Sequence, residues 1–241
     1  MRLKKSKSSS RLRRPPAVPI AATTNTYPAG KHLAFIPLLS LVFILWVLYR
    51  SLFRFPVWFD ETIGKAVFFG LPVWLYISLA GSKSIAETFA PNRIHKGLIL
   101  GITIGGLLGF GGTLATLLQQ RAVVQAAPLF TSDGFWGEFF LAMMTGFWET
   151  LFFFSWIMTM ITEKYRKWPL LNQVLLTTII FVLFHIPNTL LRFELSAVFG
   201  QFFLLFFFAL GQAFLFARTK NLYALALSHA IWGMVLVIHT K

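Results

Sequence analysis

The chain has 241 residues, 56% of them hydrophobic and only 12% charged, with a formal net charge of +14. Ordinary soluble domains are about 25% charged, so too few polar side chains exist to coat a water-soluble globule of this size. A disordered chain, a coiled coil and a soluble enzyme are thereby excluded. With no cysteine in the chain, disulfides, thiolate-bound metals and a thiol nucleophile are excluded as well. The class left is all-α: a polytopic transmembrane helical bundle, integral to the lipid bilayer. Nucleic acid is not expected as a partner, because the positive charge sits in a tail and in short loops between apolar runs, where it orients helices.

Residues 1–31 hold eight Lys or Arg and no Asp or Glu, and include Pro15-Pro16. They read as a disordered basic tail lying against anionic headgroups, with an organellar transit peptide as the alternative. Residues 32–241 form one transmembrane domain. Seven apolar runs follow, at about 33–49, 64–81, 97–118, 136–161, 169–187, 196–217 and 221–238. Each is close to the ~20 residues that cross a hydrocarbon layer. Pro72 predicts a kink in the second run. Gly105, Gly106, Gly109, Gly111 and Gly112 predict close packing in the third. With the N-terminus in the cytoplasm, sixteen of the 22 Lys and Arg fall inside and six outside, Arg50 and Lys65 among the six. That bias predicts an N-in, C-out multi-pass protein.

Most acids fall in loops: Asp60, Glu61, Glu87, Asp133, Glu163 and Glu194. Glu138 opens the fourth run, and only Glu149 lies deep within a run. His185 and His229 lie inside the fifth and seventh runs. An ionised acid at mid-membrane costs roughly 2.5–3.5 kcal/mol on insertion scales. A lone protonated Glu or neutral His, hydrogen-bonded within the bundle, is the bland reading of each residue taken singly. Three such groups on three runs point instead to a hydrolytic site, a metal site or a proton relay. A proton-coupled transporter would show paired broken half-helices, and these are missing from the pattern. Counting ~1.5 Å per residue puts Glu149 about 18 Å deep, His185 about 24 Å and His229 about 12 Å. Convergence therefore requires tilts or kinks, or span ends other than these.

The fourth run reads Glu149-Thr150-Leu151-Phe152-Phe153-Phe154, the fifth Phe181-Val182-Leu183-Phe184-His185, and the seventh His229-Ala230-Ile231-Trp232-Gly233. In order and spacing they resemble the CPBP family of intramembrane proteases, which includes the type 2 CAAX prenyl endopeptidases and bacteriocin self-immunity proteins. The family motifs are E-E-x-x-x-R, F-x-x-x-H and H-x-x-x-N, and the resemblance covers about residues 135–238. It implies an intramembrane endopeptidase acting on a peptide or membrane-protein substrate. Glu149 and His185 would activate a water, and His229 would serve the oxyanion hole. Three positions depart from the pattern. Thr150 stands for the second acid and Phe154 for the Arg, which reads as the joint loss of an ion pair. Gly233 stands for the Asn, and Asn188, three residues after His185, is the candidate auxiliary donor. A glycine at 233 also predicts close helix packing there. The alternative function is a catalytically impaired scaffold or immunity-type protein. No H-E-x-x-H helix is present, so no metal is expected. A zinc ion held by Glu149, His185 and His229 is the alternative.

Overall fold

The computed structural model describes residues 30–120 and 134–239. The expectations for residues 1–29, Arg121, Asp133 and Lys241 fall outside the described residues. Among those residues every regular element is helical. Seven long helices make up most of the described residues: α1 (Gly30–Leu52), α2 (Val57–Ala80), α3 (Ile94–Gln120), α4 (Phe135–Lys164), α5 (Leu170–Arg192), α6 (Leu195–Thr219) and α7 (Leu222–His239). Stretches within the first six are long and apolar enough to cross a membrane, and α7 carries a shorter apolar stretch, Leu222–Met234.

The second run begins earlier than its hydropathy indicates. Asp60 and Glu61 were expected in a loop, yet both lie inside α2. Their charges are hidden by pairing. Asp60 accepts a hydrogen bond from the Tyr49 hydroxyl at 2.6 Å and an ion pair from Arg50. Lys65, expected among the outside charges, is buried at 3% exposure.

The core is built around α4. Thr150–Met158 is apolar except for Thr150 and Ser155, and all nine residues are buried, as expected of a helix surrounded by its neighbours. Phe152 stacks on Phe69 of α2 at 4.8 Å, and Phe153 meets Phe181 of α5 edge-on at 4.8 Å. The same stretch is π-helical, as are Asp60–Gly64 and Ala66–Gly70 of α2. Such wide turns shift the backbone bond from i→i+4 to i→i+5 and are frequent at functional sites. α2 departs from regular helix there, before Pro72 is reached.

α2 and α4 run parallel with a constant offset of 84 residues. Thr145 Oγ1 bonds Glu61, Lys65 bonds Glu149, and the Tyr76 hydroxyl reaches the Met160 sulfur. α3 and α7 pack backbone to backbone. A Cβ added at Gly97, Gly101 or Gly105 would lie 2.7–2.8 Å from atoms of Asn221, Tyr223, Leu227 or Ile231. Glycines at i, i+4 and i+8 form one face of a helix. Gly106 and Gly111, expected to share in this packing, have no such neighbour within 4 Å. Asn221 fixes the start of α7: its Oδ1 accepts from the Tyr223 backbone N–H at 3.0 Å, and its Nδ2 donates to the Arg93 carbonyl. That is the action of an N-cap asparagine.

Candidate active site

Glu149 is the last residue of α4 before its π-helical stretch. It is 3% exposed. Close contact between α4 and α7 brings it to His229. Gly146, one turn earlier, lies so near α7 that an added Cβ would stand 2.6 Å from the Ala226 carbonyl oxygen. The same added Cβ would stand 3.4 Å from His229 Cβ, so His229 itself lies at this contact, one turn from Glu149.

The three deep groups meet on one atom. His185 Nε2 is 3.4 Å from Glu149 Oε2, and His229 Nε2 is 3.5 Å from the same oxygen. The depth difference expected between Glu149 and His185 is smaller than counted, because α4 runs on to Lys164, three residues past its expected end. Each imidazole is wedged by aromatic rings. His185 stacks on Phe181, one turn back, at 4.1 Å, and its Nδ1 lies 2.7 Å from the Phe181 carbonyl oxygen. This gives the F-x-x-x-H spacing a physical reason, since residues i and i+4 share one helix face. The His229 ring meets Phe208 edge-on at 4.7 Å. Its Nδ1 is buried with no hydrogen-bond partner.

The other oxygen of Glu149 is also occupied. Lys65 Nζ of α2 donates to Glu149 Oε1 at 2.6 Å. The same ammonium pairs with Glu61, whose Oε2 accepts from Thr145 Oγ1 at 2.7 Å. Lys65, Glu61 and Thr145 were absent from the expected site. Thr150 and Phe154 carry no ion pair, and a buried acid and base from α2, Glu61 and Lys65, stand beside Glu149. Thr150 and Phe154 are themselves fully buried, Phe154 among the rings of Phe181 and Phe216.

Asn188 sits on α5 beyond Pro187, and its Oδ1 is buried without a partner. Gly233 is not closely packed. A Cβ there would meet only Ala142 Cβ, at 4.0 Å. Among the described residues, no group of three His, Asp or Glu is arranged to hold a metal ion. The Lys65 ammonium on Oε1 is also the wrong neighbour for a dication, because like charges repel at short range.

The matched segment contains the acid and both imidazoles. Residues 131–235 match the type II CAAX prenyl endopeptidase Rce1-like family. This agrees with the resemblance to CPBP intramembrane proteases. With six helices of membrane-crossing length and apolarity among the described residues, the protein is an integral, multi-pass membrane protein, and its second half is similar to the CAAX-protease family. No curated protein and no solved structure matches the chain. Lys65 and Glu61 lie outside the Rce1-like segment.

Proposed function

We propose that this chain is an intramembrane endopeptidase in which Glu149 and His185 activate a water for attack on a peptide carbonyl. One observation carries the reading: two imidazole Nε2 atoms close on Glu149 Oε2, at 3.4 and 3.5 Å, inside the bundle. The Phe181 carbonyl can only accept a hydrogen bond, so His185 Nδ1, 2.7 Å away, is the donor. In the neutral ring, Nε2 then keeps a lone pair. Glu149 Oε2 and His185 Nε2 are thus two proton acceptors side by side.

A water set against this pair gives up a proton as its oxygen bonds to the carbonyl carbon. The carbonyl electrons move to the oxygen, which takes a hydrogen bond from the His229 ring. The proton then passes to the amide nitrogen as the C–N bond breaks. Positioned acid–base groups of this kind contribute roughly 10²–10⁴ in rate, and oxyanion donors a further factor of similar size. The substrate is a peptide segment of a membrane-associated protein, entering from the bilayer or through a bundle cavity. The reaction proceeds without metal, since Lys65 already balances the charge of Glu149 that a zinc ion would otherwise take.

The test is turnover of a peptide library in liposomes. Glu149→Gln keeps the shape and removes the base, so turnover should fall by about 10² or more, with expression and thermal midpoint retained. Unchanged turnover would show that Glu149 is not the base. Dialysis against a chelator should leave the wild type active; activity lost to the chelator and restored by zinc would favour a zinc ion held by Glu149, His185 and His229. Gly233 gives weight to a second reading, an impaired enzyme retained as a scaffold or immunity-type protein. A folded wild type that cleaves nothing in the library would favour it.

A further inference from the structure

The cation beside Glu149 comes from a part of the chain that the family match does not cover. Lys65 Nζ donates to Glu149 Oε1 at 2.6 Å and pairs with Glu61, all within the bundle. Glu61 in turn accepts from Thr145 at 2.7 Å. Glu61 and Lys65 are one turn apart on α2, as Thr145 and Glu149 are on α4. Two rungs therefore tie these parallel helices together at the site. A buried carboxylate without a cation is costly, and so is a buried ammonium without an acid. Neither could persist here alone.

We infer that Lys65 is a positioning residue for Glu149, and that the Glu61–Lys65 pair does from α2 what an acid at 150 and an Arg at 154 would do from α4. With Oε1 held by the ammonium, the carboxylate cannot rotate freely, and Oε2 is the oxygen presented to both imidazoles. Lys65 does not touch the reacting atoms. Its effect runs through the orientation and charge of Glu149, and for catalysis it rests on the protease reading above.

The experiment compares Lys65→Met, Lys65→Arg and the double variant Glu61→Gln/Lys65→Met with the full-length wild type in liposomes. The double variant removes an acid and a base together, so the net charge of the site is unchanged and only Glu149 loses its cation; it serves if Lys65→Met does not fold. Two quantities are read: peptide turnover, and labelling of Glu149 by dicyclohexylcarbodiimide, which modifies carboxyls in apolar surroundings that no cation holds. In Lys65→Met, kcat should fall at least about tenfold with KM within about twofold, the pattern of a lost supporting partner. Glu149 labelling should rise by about tenfold, the scale of a lost hydrogen bond to a charged group. Lys65→Arg, which keeps the charge and the donor, should stay near wild type in both. Unchanged kcat and labelling in Lys65→Met would overturn the inference while leaving the protease reading to Glu149→Gln. A kcat loss shared by Lys65→Arg, with a lowered thermal midpoint, would mark a purely structural role and overturn it too. If the wild type cleaves nothing, the protease reading fails and labelling alone decides the pairing: a rise in Lys65→Met supports it, and no change overturns it.

Discussion

Position 233 has room for a larger side chain. Its nearest neighbour for an added Cβ is Ala142 Cβ at 4.0 Å, an ordinary contact, so the expected close packing is not what keeps glycine there. Residue 233 lies one turn beyond His229 on the same face of α7, where an amide could reach the oxygen that His229 contacts. Gly233→Asn should therefore raise kcat more than about tenfold, a fraction of the ~10²–10³ that one oxyanion donor provides. It should also be mildly favourable to the helix, since glycine is the poorer helix former. An unchanged kcat in a folded variant would sink the idea, and loss of activity in Asn188→Ala would then assign the donor to Asn188. Glu149, His185 and His229 were legible in the sequence because ionisable groups deep in apolar runs are expensive and rare. Lys65 and Glu61 were not. Charges at the end of an apolar run look like loop charges, and the partner of Lys65 lies 84 residues further along the chain. The one local sign was the i, i+4 spacing of Glu61 and Lys65, which suits an ion pair on a single helix.

At the scale of elements, the contact between α3 and α7 depends on absent side chains. At Gly105 a Cβ would stand 2.7 Å from Ile231 Cδ1 and 3.1 Å from Ser228 Cα, and at Gly101 it would stand 3.0 Å from the Ala224 carbonyl oxygen. Backbone atoms cannot step aside as a side-chain tip can. Gly105→Val should lower stability by about 1–3 kcal/mol, the usual cost of overpacking, read as a fall in the unfolding midpoint in detergent. Gly106→Ala, one residue on and facing open space, should be neutral or stabilising by up to about 1 kcal/mol. Equal losses in both would show that the stripe is not the contact face. The sequence signalled glycine-mediated packing in α3, but the predicted set began too late to include Gly97 and Gly101. The π-helical turns of α2 and α4 had no sequence signature, because a change of hydrogen-bond register leaves apolar composition and length untouched.

For the whole molecule, the parallel run of α2 and α4 requires one crossing between them, and α3 is the helix that makes it. Arg50 and Lys65 are buried partners of Asp60 and Glu149, so they leave the tally of loop charges, and the outside count falls from six to four. The bias toward an inside N-terminus is stronger for that correction. A reporter fused after Lys241 should read as outside, and one inserted at 165–168 as inside; the opposite pattern would require a different number of crossings. The cation at the site also has a meaning for anyone who would move this chemistry elsewhere. Residues 131–235 are not a portable cassette. A fragment beginning at 131, or a graft of it into another scaffold, would import an acid and two imidazoles and leave the ammonium behind. Two halves produced from a break within 121–133 would have to find each other in the bilayer before the carboxylate regained its partner.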